Sequence, residues 1–246
     1  MNPITSFSKK RNISLSVIIP SFNEEKRIGK TISRILSYLK KKRFNYEIII
    51  VDDGSKDNTR NIVKKFLKNK NIILTKKREN KGKGYSVKQG ALMAKHNFIL
   101  FSDADLSTPI QELDKFLKYI DKYDIVIGSR ALKGADIRIK QPFYRAFIGK
   151  TFNKIARLLT VKGIKDTQCG FKLFKNCRDI FKKQAIDGFG FDVELLYIAQ
   201  KKGLKIKELP VAWLNAEGSK VSAFKDSFKM FCDLLKIRFN SIMGKY

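Results

Sequence analysis

The chain has 246 residues, enough to bury a full core in one domain and short for two. Its 52 Lys and Arg against 23 Asp and Glu give a net charge of +29, which points to an anionic partner such as nucleic acid, an anionic bilayer or a phosphorylated small molecule. Three cysteines without paired or ligand spacing, and a single histidine, argue against a disulfide framework, a zinc site and histidine acid–base chemistry.

Residues 1–13 read as a flexible basic N-terminus, without the apolar run of a signal peptide or anchor. From Ser14 to Arg130, short β-branched runs alternate with amphipathic stretches. That alternation predicts an α/β fold, with a mostly parallel central sheet flanked by helices. The first strand, Leu15 to Pro20, is followed by Ser21-Phe22-Asn23-Glu24. Phe22 can lie under a nucleobase and Glu24 can accept from a ribose, but the same residues also read as an Asn23 helix cap with acids in the first turn of a helix over 25–39. Strand two, Tyr46 to Val51, delivers Asp52-Asp53-Gly54, either acceptors for a ring N–H or ribose hydroxyl or a plain turn. A helix capped by Asp57 over 58–67 and a strand over 72–75 follow. Lys81-Gly82-Lys83-Gly84 then opens a helix over 83–94; without the Lys-Ser/Thr of a phosphate loop, an ATPase of that class is disfavoured. His96 falls at the end of this helix, where a capping or exposed role is expected.

Strand four, Phe98 to Ser102, drives an apolar run into Asp103-Ala104-Asp105. Extended chain turns residues i and i+2 to one face, so both carboxylates can share one Mg2+ or Mn2+ with a diphosphate. The alternative is a solvated loop that opens the next helix, over 109–120. Strand five, over 125–128, ends at Ser129-Arg130. Open α/β sheets bind ligands beyond the carboxyl ends of their strands, and the residues that follow strands one, two, four and five are all polar.

Between Ser129 and Lys165 there are ten Lys or Arg and one acid, Asp136. Phe143, Phe147, Ile148, Ile155, Leu158 and Leu159 fall near helical spacing there, giving an amphipathic basic crossover that suits a membrane surface or packs on the core. A helix over 221–246 repeats the pattern, with Phe224, Phe228, Phe231, Leu235, Phe239 and Ile242 in a stripe beside Lys225, Lys229, Lys236, Arg238 and Lys245. That stripe predicts an interfacial helix, or one docked on a small membrane-protein partner. No window reaches the ~18 apolar residues of a spanning helix, so a peripheral position on the cytoplasmic side of a membrane is expected.

In series, Pro20-Ser-Phe22-Asn-Glu24, Asp52-Asp53-Gly, Lys81-Gly-Lys83-Gly, Asp103-Ala104-Asp105, Gly128-Ser129-Arg130, Asp166-Thr-Gln-Cys-Gly-Phe-Lys172, Phe189-Gly-Phe-Asp192-Val-Glu194 and Glu217-Gly-Ser-Lys220 resemble the inverting family-2 glycosyltransferases of GT-A fold, and within them the polyprenyl-phosphate sugar transferases. The resemblance covers 14–220 and implies a nucleotide-sugar half over 14–130 and an acceptor half over 131–220. It implies metal-dependent transfer of a hexose, glucose first, from a UDP-sugar to a polyprenyl phosphate of dolichyl type. Pro20, Phe22, Glu24, Asp52, Asp53, Lys83, Asp103 and Ala104 would line the nucleotide-sugar site, with Asp103 and Asp105 holding the metal. Asp166 would lie beside the sugar, and Asp192 and Glu194 would order the acceptor side. Ser129, Arg130, Arg138, Arg145 and Lys220 would receive the lipid phosphate. Members of that branch commonly carry a membrane span, which this sequence does not contain. Two enzymatic variants stay open, a sugar-hydroxyl acceptor and a GDP-mannose donor. A rival of another class is a non-enzymatic protein that binds nucleic acid or a membrane surface. Acids after three strands argue against nucleic acid, because carboxylates repel a phosphate backbone.

Overall fold

The computed structural model describes residues 13–137, 155–156, 159–214 and 223–246. Arg138, Arg145, Lys220 and most of the apolar positions expected between 143 and 159 lie outside those residues, as does the segment 1–12.

In chain order the described elements are β1 (Ser14–Ser21), α1 (Ile28–Lys42), β2 (Asn45–Asp52), α2 (Thr59–Lys64), β3 (Ile72–Lys76), α3 (Lys83–Met93), β4 (Phe98–Ser102), a 3-10 turn (Ile110–Glu112) running into α4 (Leu113–Leu117), β5 (Ile125–Ser129), β6 (Asp136–Ile137), β7 (Phe171–Lys175), α5 (Arg178–Lys183), α6 (Phe191–Lys201), β8 (Ile206–Pro210), β9 (Ala212–Trp213) and α7 (Ala223–Ile242). All five expected strands are present within one residue of the bounds read from the sequence, and the sheet is mostly parallel, flanked by helices. Two helices start late. The chain turns through Asn23, whose φ of 53° is left-handed, so α1 begins at Ile28. Pro109 precedes the 3-10 turn with ψ 142°, extended rather than helical.

Seven strands form one sheet in the order β3-β2-β1-β4-β7-β5-β8, with a small β6-β9 pair beside it. Alternate residues of each strand go to opposite cores. Leu15, Val17 and Ile19 of β1 belong to the core that includes α1, while Ile18 belongs to the core on the other face, which takes in residues of α3, α5, α6 and α7. Each fully buried Leu, Ile or Phe on these faces stabilises by ~1.5–3 kcal/mol.

One strand breaks the parallel pattern. β5 ends at the carboxyl edge, the chain re-enters from that edge, and β7 therefore runs downward, pairing antiparallel with both β4 and β5. Its first residue, Phe171, lies opposite Ser102, the last of β4. That insertion brings Gly170 against Asp103, whose backbone N–H donates to the Gly170 carbonyl at 3.1 Å.

Candidate active site

The carboxyl ends of β2, β1, β4 and β5 lie along one edge of the sheet, with the amino end of β7 between the last two. Ser21 and Asp52 are register partners at the ends of β1 and β2. The Asp52 carboxylate takes a hydrogen bond from Arg60 Nε on one oxygen, and its Oδ1 is buried without a hydrogen-bond partner. Ser21 Oγ is likewise buried and unpartnered. Two orphaned polar atoms side by side cost ~1–3 kcal/mol each, which a ligand carrying a matching edge would recover.

The neighbouring loops grip one another. Asn23 does not cap α1; its side-chain oxygen accepts from Lys56 N–H at 2.8 Å, and its own N–H donates to Ser55 Oγ at 2.9 Å. Asp53 accepts from the N–H groups of Lys81 and Gly82 at 2.9 and 2.7 Å. Glu24 pairs with Arg27. Phe22 is half-buried and Pro20 is buried in β1. Of these two acids, Asp53 thus organises a loop, whereas Asp52 has one oxygen buried without a hydrogen-bond partner.

Asp103 and Asp105 stand just beyond β4, with Ala104 buried between them. Asp103 Oδ1 meets Lys83 Nζ at 2.7 Å, and Lys83 is the first residue of α3. Asp105 Oδ1 accepts from Ser107 N–H at 2.9 Å. Burial, then the charge of Asp103, pushes the Asp105 carboxyl above its usual range. For Lys83 burial works against the charge, but Asp103 and Asp192 outweigh it and hold the ammonium above its ordinary value. Among the described residues no three His, Cys, Asp or Glu converge on one point. Two carboxylates of this kind still fit a Mg2+ or Mn2+ ion that also takes phosphate oxygens, since such ions bind through one or two carboxylates and keep their other positions for substrate and water. A Cβ on Gly170 would overlap the Asp103 carboxylate, so only glycine leaves Asp103 in this place.

Arg130 and Asp166 meet each other. The Arg130 backbone N–H, Nε and Nη2 donate to Asp166 at 2.9, 2.7 and 2.8 Å, and the guanidinium lies 5.5 Å from the Trp213 ring centre. Burial would raise the Asp166 carboxyl, but the Arg130 charge and hydrogen bonds outweigh it and hold the group below its usual range. Asp166 is expected on the sugar and Arg130 on a lipid phosphate; the structure joins the two in one ion pair that takes the Arg130 N–H, Nε and Nη2 and both Asp166 oxygens. Ser129 Oγ, expected on the acceptor, accepts from Ala131 N–H at 3.2 Å.

Lys172 joins the cluster without a role read from the sequence. It is fully buried in β7, ion-paired with Asp192 and bonded to the Cys169 carbonyl at 2.6 Å. Its signal was a lysine inside an apolar strand, Phe-Lys-Leu-Phe, which demands a buried counter-charge. Glu194 accepts from the N–H groups of Ala185 and Ile186 and pairs with the Tyr246 hydroxyl, so it props the loop before α6.

The model of Glycosyl transferase family 2 matches residues 16–183. The chain belongs to glycosyl transferase family 2. This glycosyltransferase is 40% identical to dolichyl-phosphate beta-glucosyltransferase of Dictyostelium discoideum over 95% of the chain and 76% of that protein. To the human protein of the same name it is 37% identical, over 94% and 77%. Among solved structures it is similar to glucosyl-3-phosphoglycerate synthase of Mycobacterium tuberculosis in complex with Mn2+, UDP-glucose and phosphoglyceric acid. There the TM-score is 0.70 at 15% identity, over 92% of this chain and 79% of that one. Mannosyl-3-phosphoglycerate synthase of Rubrobacter xylanophilus gives 0.69 at 14% identity, over 95% and 76%. These two likenesses establish the GT-A fold of the family-2 chain.

Proposed function

We propose that this family-2 enzyme transfers glucose from UDP-glucose to dolichyl phosphate, with inversion, at the cytoplasmic surface of a membrane. The observation that carries the reading is the match across nearly the whole chain to proteins of slime mould, human and yeast that bear the name dolichyl-phosphate beta-glucosyltransferase. In the transfer, an acceptor phosphate oxygen bonds to the anomeric carbon as the bond from that carbon to the UDP oxygen breaks, and UDP leaves with the electron pair. A phosphate monoester, with a second pKa of ~6, is already ionised near neutrality, so no residue has to take a proton from it.

The donor end is supported by Asp52 Oδ1 and Ser21 Oγ, buried and unpartnered, which suit a uracil N–H and carbonyl. Asp103 and Asp105 are the residues that would hold Mg2+ or Mn2+, which when bound offsets the charge of the departing diphosphate. Lys83, fixed at the N-terminus of α3 beside Asp103, supplies a cation to the same oxygens. The Arg130–Asp166 pair, packed on Trp213, orients the sugar side; Nη1 of Arg130, together with the cations Arg138, Arg145 and Lys220, receives the lipid phosphate.

The test incubates purified protein with dolichyl phosphate and radiolabelled UDP-glucose or GDP-mannose, with and without Mn2+. Label from UDP-glucose entering an acid-labile lipid fraction only with metal is expected. Label from GDP-mannose alone, or label in a soluble sugar product, refutes the assignment.

A further inference from the structure

The C-terminal helix has two apolar faces, where a helix packed on one side of a soluble domain needs one. At 3.6 residues per turn, Met230, Leu234 and Ile237 fall on one line, and all three are buried in the core shared with α6. On the opposite line stand Phe228, Leu235, Phe239 and Ile242, which are 71, 50, 59 and 77% exposed. Lys229 and Lys236, both exposed, border that ridge on one side, and exposed Arg238 borders it on the other. Asp233, the acid among the described side chains of this helix, turns inward and accepts from the Gly190 N–H. Among the described side chains of this helix the ridge therefore carries cations along both edges and no acid.

That edge chemistry selects the occupant. A second copy of the chain would bring a further +29 and set lysine against lysine at the rim. A bilayer with anionic headgroups accepts both parts: phenyl and alkyl groups sink to the acyl boundary while the flanking lysines and arginine reach the phosphates. We infer that the outer face of α7 is the membrane-contact surface of the enzyme, with the helix lying in the plane of an anionic bilayer.

The inner face bolts this surface to the site. Met230 Sδ accepts from Gln168 Nε2 at 3.0 Å, two residues beyond Asp166. Asp233 holds Gly190, the residue that precedes α6 and its Asp192. Tyr246 pairs with Glu194. Docking of α7 thus carries the Asp166 and Asp192 side of the site to the height of lipid phosphates, which deepens the reading of a lipid-phosphate acceptor and rests on it for its purpose.

The experiment measures flotation of the full chain with vesicles of phosphatidylcholine, with and without phosphatidylserine. The parent should bind the anionic vesicles and lose them in high salt. The triple variant Phe228→Ser, Phe239→Ser, Ile242→Ser should bind at least about tenfold more weakly, and Lys229→Glu with Lys236→Glu should lose the preference for anionic lipid. Because the mutated side chains face solvent, both variants should keep the parent's melting temperature and its transfer to a short, water-soluble isoprenyl phosphate. Equal vesicle binding by parent and triple variant overturns the inference. So does a parent that binds native membranes but no lipid vesicle, which indicates a protein partner, and so does a parent dimer that the triple variant converts to monomer. Vesicle binding lost in the triple variant, together with no glucose transfer to any polyprenyl phosphate, supports the surface and removes the acceptor reading alone.

Discussion

Replacing Asp166 by Asn tests whether Arg130 and Asp166 form one coupled unit. The carboxylate is 2% exposed and takes three hydrogen bonds from Arg130, so the amide cannot serve them all without presenting N–H to N–H. Removing one partner of a buried ion pair costs about 3–5 kcal/mol. The Arg130 side chain is 28% exposed, and water relieves part of its loss, which brings the expected cost to roughly 2–3 kcal/mol. At this chain length that lowers the melting temperature by roughly 4–12 °C, read by calorimetry at neutral pH. Because Asp166 is held below its ordinary range, its contribution is present above the unfolded carboxylate value of ~3.9 and fades as pH falls through the lower folded value. The difference between parent and variant should accordingly shrink in acid. An apolar double replacement, Arg130→Met with Asp166→Leu, should recover part of the stability, since neither charge is then left alone. A loss under about 0.5 kcal/mol in the single variant would refute the coupling and return Asp166 to an independent contact with the sugar.

Asp103→Asn and Asp105→Asn should each nearly abolish glucose transfer with the fold intact by circular dichroism, and EDTA should do the same to the parent; full activity in any of the three removes the metal assignment. Ser21→Ala should raise the KM for the donor by about 2–12-fold, the worth of one hydrogen bond, with little change in stability because Oγ has no partner in the fold; an unchanged KM means that this atom does not meet the nucleotide. Gly170→Ala should displace the Asp103 carboxylate and cut kcat while the melting temperature falls only modestly, and parent-like kcat would show that the strand shifts to make room. Arg145→Ala should weaken use of the lipid phosphate and leave UDP affinity unchanged by calorimetric titration; a parallel loss of both assigns that arginine to the donor.

The five strands through Ser129 and the acids that follow them were readable because each depends on local periodicity and on chain that stops being apolar. What stayed hidden depends on partners far along the chain. Nothing near Phe171 says that β7 will run antiparallel between β4 and β5, since that follows from which edge of the sheet the chain returns to. Asn23 and Asp53 carry ordinary cap and turn chemistry in sequence, yet each spends it on a neighbouring loop 33 or 28 residues away. Arg130 and Asp166 each stand out in the sequence, but their mutual bond spans 36 residues and no periodic pattern reports it. The two-sided nature of α7 lay halfway: its outer stripe was visible, and the inner line of Met230, Leu234 and Ile237 became distinct only against α6.

The buried lysine also has a colloidal consequence. Lys83, Arg130 and Lys172 stand against Asp103, Asp105, Asp166 and Asp192, so the inner cluster carries a small formal negative charge within a chain of +29. All of the excess positive charge therefore lies elsewhere, where it can only repel itself. In dilute buffer such a molecule spends folding energy on self-repulsion, and added salt relieves it within a Debye length of about 8–10 Å. The family-2 chain should thus be kept in salt during purification, and it should grow more stable as salt rises over the same range in which it lets go of an anionic surface.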